Sequence, residues 1–287
     1  MRHYSLFGKV VLITGGGRGL GAATATALAR RGARVVLADI DLSAAQRVAQ
    51  ALPGGQNLAL ECDVTHLDSV QEAVRQTHQH FGRIDVVIAN AGILGRANTF
   101  RALTPDQVGG VMCVNVDGVV NTVSAALESV ISSRGQIVLV SSVFAYINGA
   151  GAVPYAMSKA AVEQLSRGLH VELASHGAST MTAYFSLIET DMIRQGVDAD
   201  PHALALLSAM PKFILKRIQP QTAATAIANG LERRQRSITV PGRWRPVAAL
   251  RGVAGPIVDA KLARDSQVRR ALAQLENRPQ QERNTTT

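Results

Sequence analysis

The stretch VVLITGGGRGLGAATATALARRGARVVLADID, residues 10–41, decides the fold of this chain. It begins with a continuous run of apolar, mostly β-branched residues, which is typical of a strand buried on both faces of a parallel sheet. Glycines follow at positions 15, 16, 17, 19 and 21, then a helical segment, then a second apolar run that ends at Asp39. Glycines permit a sharp turn, so backbone N–H groups at the positive end of the helix can approach an anion. This order predicts a unit that binds the pyrophosphate of a dinucleotide.

Short apolar runs continue along the chain at a regular pace. Further strand candidates lie at 57–62, 86–89, 137–140, 179–184 and 237–240, and segments with helical spacing lie at 19–31, 43–51, 67–81, 105–112 and 117–133. Alternating strands and helices with right-handed crossovers place helices on both faces of a parallel sheet. We therefore predict an α/β fold with a single doubly wound parallel sheet of about seven strands.

The composition of the 287 residues is that of a globular protein with ample core material. Apolar residues make up 47% of the chain, and no apolar run approaches the ~18–20 residues that span a bilayer. The N-terminal segment lacks the apolar core of a secretory signal. Cys62 and Cys113 are too few for a disulfide framework or a zinc cluster, so we expect a cytoplasmic protein without a bound metal.

The net charge of +9 is confined to the C-terminal quarter of the chain. Residues 1–211 carry 15 basic and 16 acidic residues, whereas residues 212–287 carry 15 basic and 5 acidic ones, a net charge of +10. Such a tail is either a solvated basic surface or a binding site for an anionic partner. It contains no recognisable nucleic-acid-binding module, so we favour the solvated surface and expect no nucleic-acid partner.

Asp39 and Arg18 bear on which dinucleotide binds. Asp39 ends the second strand, where a carboxylate accepts hydrogen bonds from the adenosine ribose and repels a 2′-phosphate. Arg18 lies in the glycine turn, within possible reach of a 2′-phosphate. Because a buried clash of like charges outweighs one flexible, solvated arginine, the sequence favours NAD over NADP.

The segment YAMSK at 155–159 offers a pair of groups for acid–base chemistry. Tyr155 and Lys159 are four residues apart on a predicted helix and share a face. A neighbouring ammonium favours the phenolate and draws the phenol pKa down from about 10. Ser142 lies 13 residues upstream, just after the strand IVLV, at the sheet edge where ligands bind in such folds.

These residues resemble the motifs of the classical short-chain dehydrogenase/reductase family. TGGGRGLG at 14–21 matches the TGxxxGxG of that family, and CDV at 62–64, NAG at 90–92, VNVDG around Asn115 and YAMSK at 155–159 follow in the family's order and spacing. The similarity covers about residues 7–240. It implies a seven-stranded Rossmann-type sheet, hydride exchange between a small-molecule substrate and a nicotinamide cofactor, and a homodimer or homotetramer.

The resemblance also implies a role for each matching residue. Tyr155 is the general acid or base, and Lys159 lowers its pKa and binds the nicotinamide ribose. Ser142 polarises the substrate oxygen, and Asn115 holds a water that links Lys159 to solvent. The implied cofactor-binding residues are Gly15, Gly17, Arg18, Gly19, Leu20 and Gly21 in the turn, Asp39 at the ribose, Asp63 and Val64 at the adenine, Asn90, Ala91 and Gly92 beside the cofactor, and Tyr155, Lys159, Ile188 and Thr190 at its nicotinamide end.

One pair of residues departs from the family's pattern. The family usually has Pro-Gly after the sixth strand, where this chain has Phe185 and Ser186. Proline fixes φ and glycine permits conformations that other residues resist, so this turn is built differently here. We expect Phe185 to pack on the nicotinamide face.

We divide the chain into a catalytic domain at 1–240 and a basic extension at 241–287, whose last ten or so residues we expect to be disordered. Within the domain, residues 192–217 should cover the substrate. Apolar residues there and at 144–147 favour a lipophilic substrate, unless they pack on the cover's own support or on another subunit. These residues are Phe144, Tyr146, Ile147, Leu204, Leu206, Leu207, Met210, Phe213, Ile214 and Leu215.

In the extension, apolar residues alternate with arginines over 243–274, a pattern that can lie on an anionic membrane surface. Pro246, Gly252, Gly255 and Pro256 interrupt its first half, so we expect no continuous interfacial helix there. We favour a tail that packs across its own subunit or a neighbour.

Taken together, these patterns predict an NAD-dependent oxidoreductase that interconverts a secondary alcohol and a ketone. Its catalytic residues are Asn115, Ser142, Tyr155 and Lys159. The alternative is a protein of the same fold that senses the cofactor without turnover, with its nicotinamide turn altered at Phe185 and Ser186.

Overall fold

A sheet of seven parallel strands forms the centre of the protein. The structure, a computed structural model, describes residues 3–210 and 216–278. The strands are β1 (Val10–Thr14), β2 (Arg34–Asp39), β3 (Leu58–Glu61), β4 (Val86–Ala89), β5 (Gln136–Ser142), β6 (Ser179–Phe185) and β7 (Ser237–Val240). They lie in the order β3-β2-β1-β4-β5-β6-β7, and each neighbouring pair is parallel. The predicted seven-stranded sheet is confirmed.

Helices cover both faces of the sheet. They are α1 (Gly19–Ala29), α2 (Leu42–Ala51), α3 (Leu67–Phe81), α4 (Pro105–Met112), α5 (Gly118–Ser132), α6 (Val153–Glu172), the single turn α7 (Asp191–Ile193), α8 (Pro201–Ser208), α9 (Pro220–Glu232), α10 (Arg245–Arg264) and α11 (Ser266–Glu276). Successive strand residues point to opposite faces. Val11 and Ile13 of β1 therefore join one buried cluster with α1 and α9, and Val10 and Leu12 join a second with α3, α5 and α6.

The sheet changes its direction of growth between β1 and β4. The strands β2 and β3 extend it on one side of β1, and β4 to β7 extend it on the other. At such a switch point the loops that follow the two central strands diverge and leave a crevice at their carboxyl ends. The crevice therefore opens beside Gly15 and Asn90, which follow β1 and β4.

A π-helical turn, Cys113–Asp117, joins α4 to α5 and carries Asn115. Turns of this kind often mark functional sites. Contrary to expectation, the whole stretch Pro105–Ser132 is long and apolar enough, by length and composition, to cross a membrane. Its buried residues Val119 and Val123 instead lie in the core cluster beneath the sheet, as in a core helix.

The C-terminal extension forms two helices, which corrects one expectation. Pro256 does not interrupt α10, which runs unbroken for 20 residues. A proline removes the N–H that would bond the carbonyl four residues earlier. Here that carbonyl belongs to Gly252, an exposed residue, so water can satisfy it. The second helix, α11, packs on α8 and buries Leu275 completely, so this part of the tail does pack across its own subunit.

Candidate active site

In the glycine turn after β1, the backbone of the turn lies in close contact with the first turn of α1. Gly15 has φ +64°, a conformation that favours glycine. A side chain at Gly21 would overlap the carbonyl oxygen of Gly15, so the first turn of α1 must lie against the loop. This leaves the N-terminus of α1 directed at the crevice, where it can receive an anion.

Asn90 and Thr14 join the turn to the end of β4. The Asn90 amide donates to the carbonyls of Thr14 and Gly15 at 3.0 and 2.9 Å. The Asn90 backbone N–H donates to the Thr14 hydroxyl at 3.2 Å. Asn90 therefore holds the two loops of the crevice together, and Thr14, which sequence reasoning gave no role, is its partner.

Asp39 is buried at the end of β2, with its carboxylate fixed by the backbone. One oxygen accepts the N–H of Gly17 at 2.8 Å, and the other accepts the N–H of Asp41 at 3.0 Å. A Cβ at Gly17 would lie only 3.0 Å from this carboxylate and 3.0 Å from the Ala44 Cβ. Arg18, by contrast, is exposed, so the negative charge is held in place and the positive one is not.

A cavity of about 510 Å³ lies at the crevice and brings most of the predicted site residues together. Its volume is within the usual range for cofactor sites. Predicted residues that line it are Gly15, Arg18, Gly19, Leu20, Asp39, Asp63, Val64, Asn90, Ala91, Gly92, Tyr155, Lys159, Ile188 and Thr190. Gly17, Gly21, Asn115 and Ser142 are absent from this lining and contribute through the residues they contact.

Several lining residues were missed by the sequence analysis. Exposed apolar side chains at Ile40 and Ile93 line the cavity, as do Cys62, Thr65 and Leu94. Met192, Gln195 and Gly196 line it too, and they fall within the predicted cover at 192–217. Ile40 directly follows Asp39, and Ile93 directly follows the NAG segment, so their positions next to these motifs could have identified them.

The Asp63 carboxylate is engaged locally. It accepts hydrogen bonds from the backbone N–H and the side-chain hydroxyl of Thr65, and these bonds lower its pKa.

Tyr155 and Lys159 lie on one face of α6, as their spacing predicts. The Lys159 Nζ is 5.5 Å from the centre of the Tyr155 ring and donates to the Val140 carbonyl at 3.1 Å. Burial lowers the pKa of Lys159 to about 8. Burial raises the pKa of Tyr155, opposite to the expected direction, and a hydrogen bond with Ser142 partly offsets this. Desolvation of the phenolate therefore outweighs the hydrogen bond with Ser142.

Ser142 stands at the end of β5, next to Tyr155 and opposite Phe185 in β6. Its hydroxyl donates to the Phe185 carbonyl at 3.2 Å and accepts the Phe144 N–H at 3.2 Å. The ring of Phe144 in turn packs edge-on against the Tyr155 ring, with centroids 5.8 Å apart. The serine and the tyrosine are thus positioned by the same short segment.

Asn115 is fully buried, and the π-helical turn directs its side chain toward the loop after β4. Its oxygen accepts the Ile93 N–H at 2.8 Å, and its nitrogen donates to the Ile93 carbonyl at 2.8 Å. A Cβ on Gly92 would lie 3.1 Å from the Asn115 oxygen and 3.5 Å from the Lys159 Nζ. The missing side chain of Gly92 leaves space between the asparagine and the lysine.

Phe185 is held mainly by the core, and its contact with the nicotinamide stays a prediction. It lines the cavity, but its side chain is 3% exposed and belongs to the core cluster with Ile188 and Val240 packed against it. Ser186 continues the strand direction, and its N–H donates to the Val240 carbonyl at 3.2 Å. The altered turn is therefore anchored by core packing and by β7 instead of by a proline.

The apolar residues predicted to cover the substrate line the cavity only in part. Leu206 packs against α11, and Tyr146 pairs with Tyr184 at 5.6 Å between ring centroids; neither lines the cavity. Phe213, Ile214 and Leu215 lie outside the described residues. Within the predicted cover at 192–217, Met192 and Ile193 do line the cavity, and near them Ile93, Leu94 and Ile188 line it from other segments.

The arrangement fits a dinucleotide. The turn offers backbone N–H groups at a helix N-terminus, Asp39 offers a fixed acceptor, and Ile40 and Val64 offer apolar surface for a base. Tyr155 and Lys159 open onto the same cavity, so acid–base groups and the dinucleotide site share one space.

Comparison with known proteins agrees with this arrangement. The family model described as short chain dehydrogenase matches residues 9–200. The chain is 35% identical to carbonyl reductase family member 4 of Danio rerio over 64% of this chain and 77% of that protein. It is 32% identical to a 3-oxoacyl-[acyl-carrier-protein] reductase of Vibrio cholerae over 78% of this chain and 90% of that protein.

A solved structure supports the same conclusion. The 3-ketoacyl-(acyl-carrier-protein) reductase of Brucella melitensis, complexed with NADH, matches with a TM-score of 0.72 and 26% identity, covering 82% of this chain and 98% of that one. Since the family model spans more than half of the chain, the protein belongs to the short-chain dehydrogenase/reductase family of nicotinamide-dependent oxidoreductases.

Proposed function

We propose that this protein is an NAD-dependent oxidoreductase that interconverts a secondary alcohol and a ketone. The observation that carries the proposal is that Tyr155 and Lys159 open onto the same cavity as the glycine turn and Asp39. A bound nicotinamide cofactor supplies or accepts the hydride, and its oxidised ring adds one positive charge to the site. The chain's own residues supply the proton chemistry.

Tyr155 is proposed to take the hydroxyl proton of the alcohol, or to return it to the ketone. Because burial raises its pKa, the phenolate needs stabilisation. We assign it to the Ser142 hydroxyl, which would turn from the Phe185 carbonyl to the phenolate, and to the Lys159 ammonium 5.5 Å from the ring centre. Burial brings the pKa of Lys159 to about 8, so this amine can gain and lose a proton near neutral pH. The space at Gly92 between Lys159 and Asn115 is our proposed path for that proton.

The preference for NAD rests on Asp39. Its carboxylate is buried and held by two backbone N–H groups, so it cannot turn away from a 2′-phosphate without losing both bonds. Arg18 is exposed, and solvent screens its charge. We therefore expect the fixed, buried charge of Asp39 to outweigh the exposed charge of Arg18 and to favour NAD over NADP.

The substrate is proposed to present an apolar group beside its reacting carbon. Ile93, Leu94 and Met192 line the cavity, and Phe144 packs on the Tyr155 ring. With cofactor and protein held constant, apolar secondary alcohols should show higher kcat/KM than small polar ones. Faster turnover of the small polar alcohols would refute the apolar substrate class, whereas the assignment of the protein as an oxidoreductase would still hold.

The substitution Tyr155→Phe tests the catalytic assignment. Loss of the hydroxyl removes the proton donor and acceptor, and we expect turnover to fall by roughly 10³-fold or more, given the usual contribution of acid–base groups. NADH affinity should change little, because the ring that lines the cavity is kept. Steady-state rates and a fluorescence titration of NADH check the two expectations. Substantial remaining turnover would refute the mechanism, and an inactive wild-type protein that binds NADH tightly would favour the cofactor-sensing alternative.

Parallel titrations with NADH and NADPH test the cofactor assignment. We expect the wild-type protein to prefer NADH by at least about tenfold, and Asp39→Asn to lose most of this preference, because the uncharged amide no longer repels a 2′-phosphate. The variant Asp41→Asn, two residues away and outside the cavity lining, serves as the matched control, because it keeps the backbone N–H that bonds Asp39. A wild-type preference for NADPH would show that Arg18 outweighs Asp39.

A further inference from the structure

The helix α10 lies on the surface, and the two charged residues in its middle contact other parts of the protein. Arg251 makes two hydrogen bonds to the Glu163 carboxylate on α6, at 2.9 and 2.8 Å. Asp259, two turns further along the same side, accepts from the Asn148 amide at 3.2 Å. These are the only two charged residues between Pro246 and Ala260. Asp259 remains exposed, but neither charged residue lies on the face of the helix that carries positions 250, 253 and 257.

The side of α10 that faces away from these contacts is apolar. Leu250, Val253 and Ile257 recur at helical spacing on it and are 58%, 73% and 69% exposed. We call these three residues the outer face of α10. A helix on a protein surface ordinarily shows the reverse arrangement, with apolar residues inward and charges outward. Contiguous exposed apolar residues of this kind mark a contact with a membrane or another protein.

Basic residues stand at both ends of the outer face. Arg245 precedes it, and Lys261 and Arg264 follow it; all three are exposed. An apolar helix face between exposed cations is the arrangement that lies flat on an anionic bilayer, with aliphatic side chains among the acyl chains and cations at the lipid phosphates.

We propose that α10 is a docking helix for an anionic lipid surface. A second copy of the chain is the less favourable occupant for two reasons. In an antiparallel pair of α10 helices, Arg245 of one copy would meet Lys261 and Arg264 of the other, and in a parallel pair each cation would meet itself. Three aliphatic side chains also present much less than the roughly 800 Å² per partner that a stable interface buries.

The docking helix lies next to the active-site side of the protein. Asn148, its partner through Asp259, belongs to the segment that leads into α6 and Tyr155. Docking would therefore bring this side toward the bilayer, where apolar substrates partition. That corollary rests on the proposed function, whereas lipid binding itself requires neither cofactor nor substrate.

Co-sedimentation of the full chain with vesicles tests the proposal. We expect binding to vesicles of equimolar phosphatidylglycerol and phosphatidylcholine at low salt, little binding to phosphatidylcholine alone, and weakening at about 0.5 M salt. Val253→Asp should lower the partition coefficient by roughly tenfold, because a carboxylate replaces buried aliphatic surface on an anionic membrane. Lys261→Glu with Arg264→Glu should abolish the preference for anionic vesicles.

Val171→Asp is the matched control, since Val171 on α6 is 74% exposed, nearly the same as Val253. Circular dichroism confirms that each variant keeps its helix content. Absence of wild-type binding to the anionic vesicles at low salt, or equal losses in the Val253 and Val171 variants, overturns the proposal. A wild-type dimer that Val253→Asp converts to a monomer, without any vesicle binding, would assign the outer face to a second copy instead.

Discussion

At the scale of single residues, Lys159 shows how burial sets both chemistry and stability. Its amine has a pKa of about 8 in the folded protein against 10.5 for an exposed lysine. Below pH 8 both states hold the proton, and the folded state bears the full cost of burying the charge. As the pH rises from 8 toward 10.5, the folded state releases this proton first, so stability attributable to Lys159 increases. Lys159 therefore destabilises the fold at the pH where its charge serves catalysis.

We expect Lys159→Met to remove this pH dependence. Between pH 7 and 9.5 the free energy of unfolding of the wild type should rise relative to that of the variant by about 2 kcal/mol, from the shift in pKa. Urea unfolding of both proteins at several pH values measures the difference, and groups that titrate in both proteins cancel. A difference that stays constant with pH would contradict the lowered pKa of Lys159.

At the scale of elements, the glycine turn and α1 form one unit because Gly21 lies directly against the carbonyl of Gly15. The substitution Gly21→Ala would drive a Cβ into the Gly15 carbonyl, so the helix must move away from the turn. We expect loss of NADH binding by more than roughly tenfold and a lower melting temperature, since overpacking costs about 1–3 kcal/mol. Fluorescence titration and thermal unfolding measure the two effects.

A second glycine serves as the control for Gly21. Gly168 lies within α6, and a Cβ there would meet no atom within 4 Å. Gly168→Ala should therefore stabilise the protein, by up to about 1 kcal/mol from helix propensity, and leave NADH affinity unchanged. Equal behaviour of the two variants would show that the close approach at Gly21 has no bearing on the cofactor site.

At the scale of the whole molecule, the C-terminal extension holds the segment that follows β6. Leu275 of α11 is fully buried and, with Leu206 of α8, packs against Gly151, shortly before Tyr155. Arg278 pairs with Asp200 at 2.6 Å, and Asp200 also caps α8 through the N–H groups of His202 and Ala203. The tail thus fixes a helix that follows four cavity-lining residues, Met192, Ile193, Gln195 and Gly196.

Leu275→Ala should loosen this contact locally. Removing a buried leucine costs about 2–5 kcal/mol where the site cannot collapse, and here we expect the cost to appear as opening of α8 and α11. Hydrogen exchange should accelerate by roughly tenfold or more in residues 201–208 and 148–152, while β1 and α1 stay protected. Leu250→Ala, at an exposed position on α10, is the control. Uniform acceleration throughout the chain would show that the tail belongs to the global folding unit.

The sequence by itself determined the features that depend on neighbouring residues. The strand, glycine turn and helix at 10–29, the helices at 67–81 and 105–112, and the face shared by Tyr155 and Lys159 all follow from local periodicity and backbone freedom. The doubly wound parallel sheet followed as well, because alternating strands and helices with right-handed crossovers place helices on both faces of one sheet. The crevice between β1 and β4, by contrast, follows from the strand order, which the structure supplied.

Only the tertiary structure decided in which direction each apolar side chain points, because apolar residues in similar local sequence can face either the cavity or the core. The predicted cover residue Leu206 faces α11, Phe185 enters the core and Tyr146 meets Tyr184, because each direction depends on a partner distant in the chain. Pro256 was expected to end a helix that persists, and the pKa of Tyr155 rises where proximity to Lys159 predicted a fall. Local spacing predicts which groups lie near one another. Burial arises only when the whole chain is packed, and it is burial that sets the free-energy cost of a charged group and decides which residues an apolar side chain contacts.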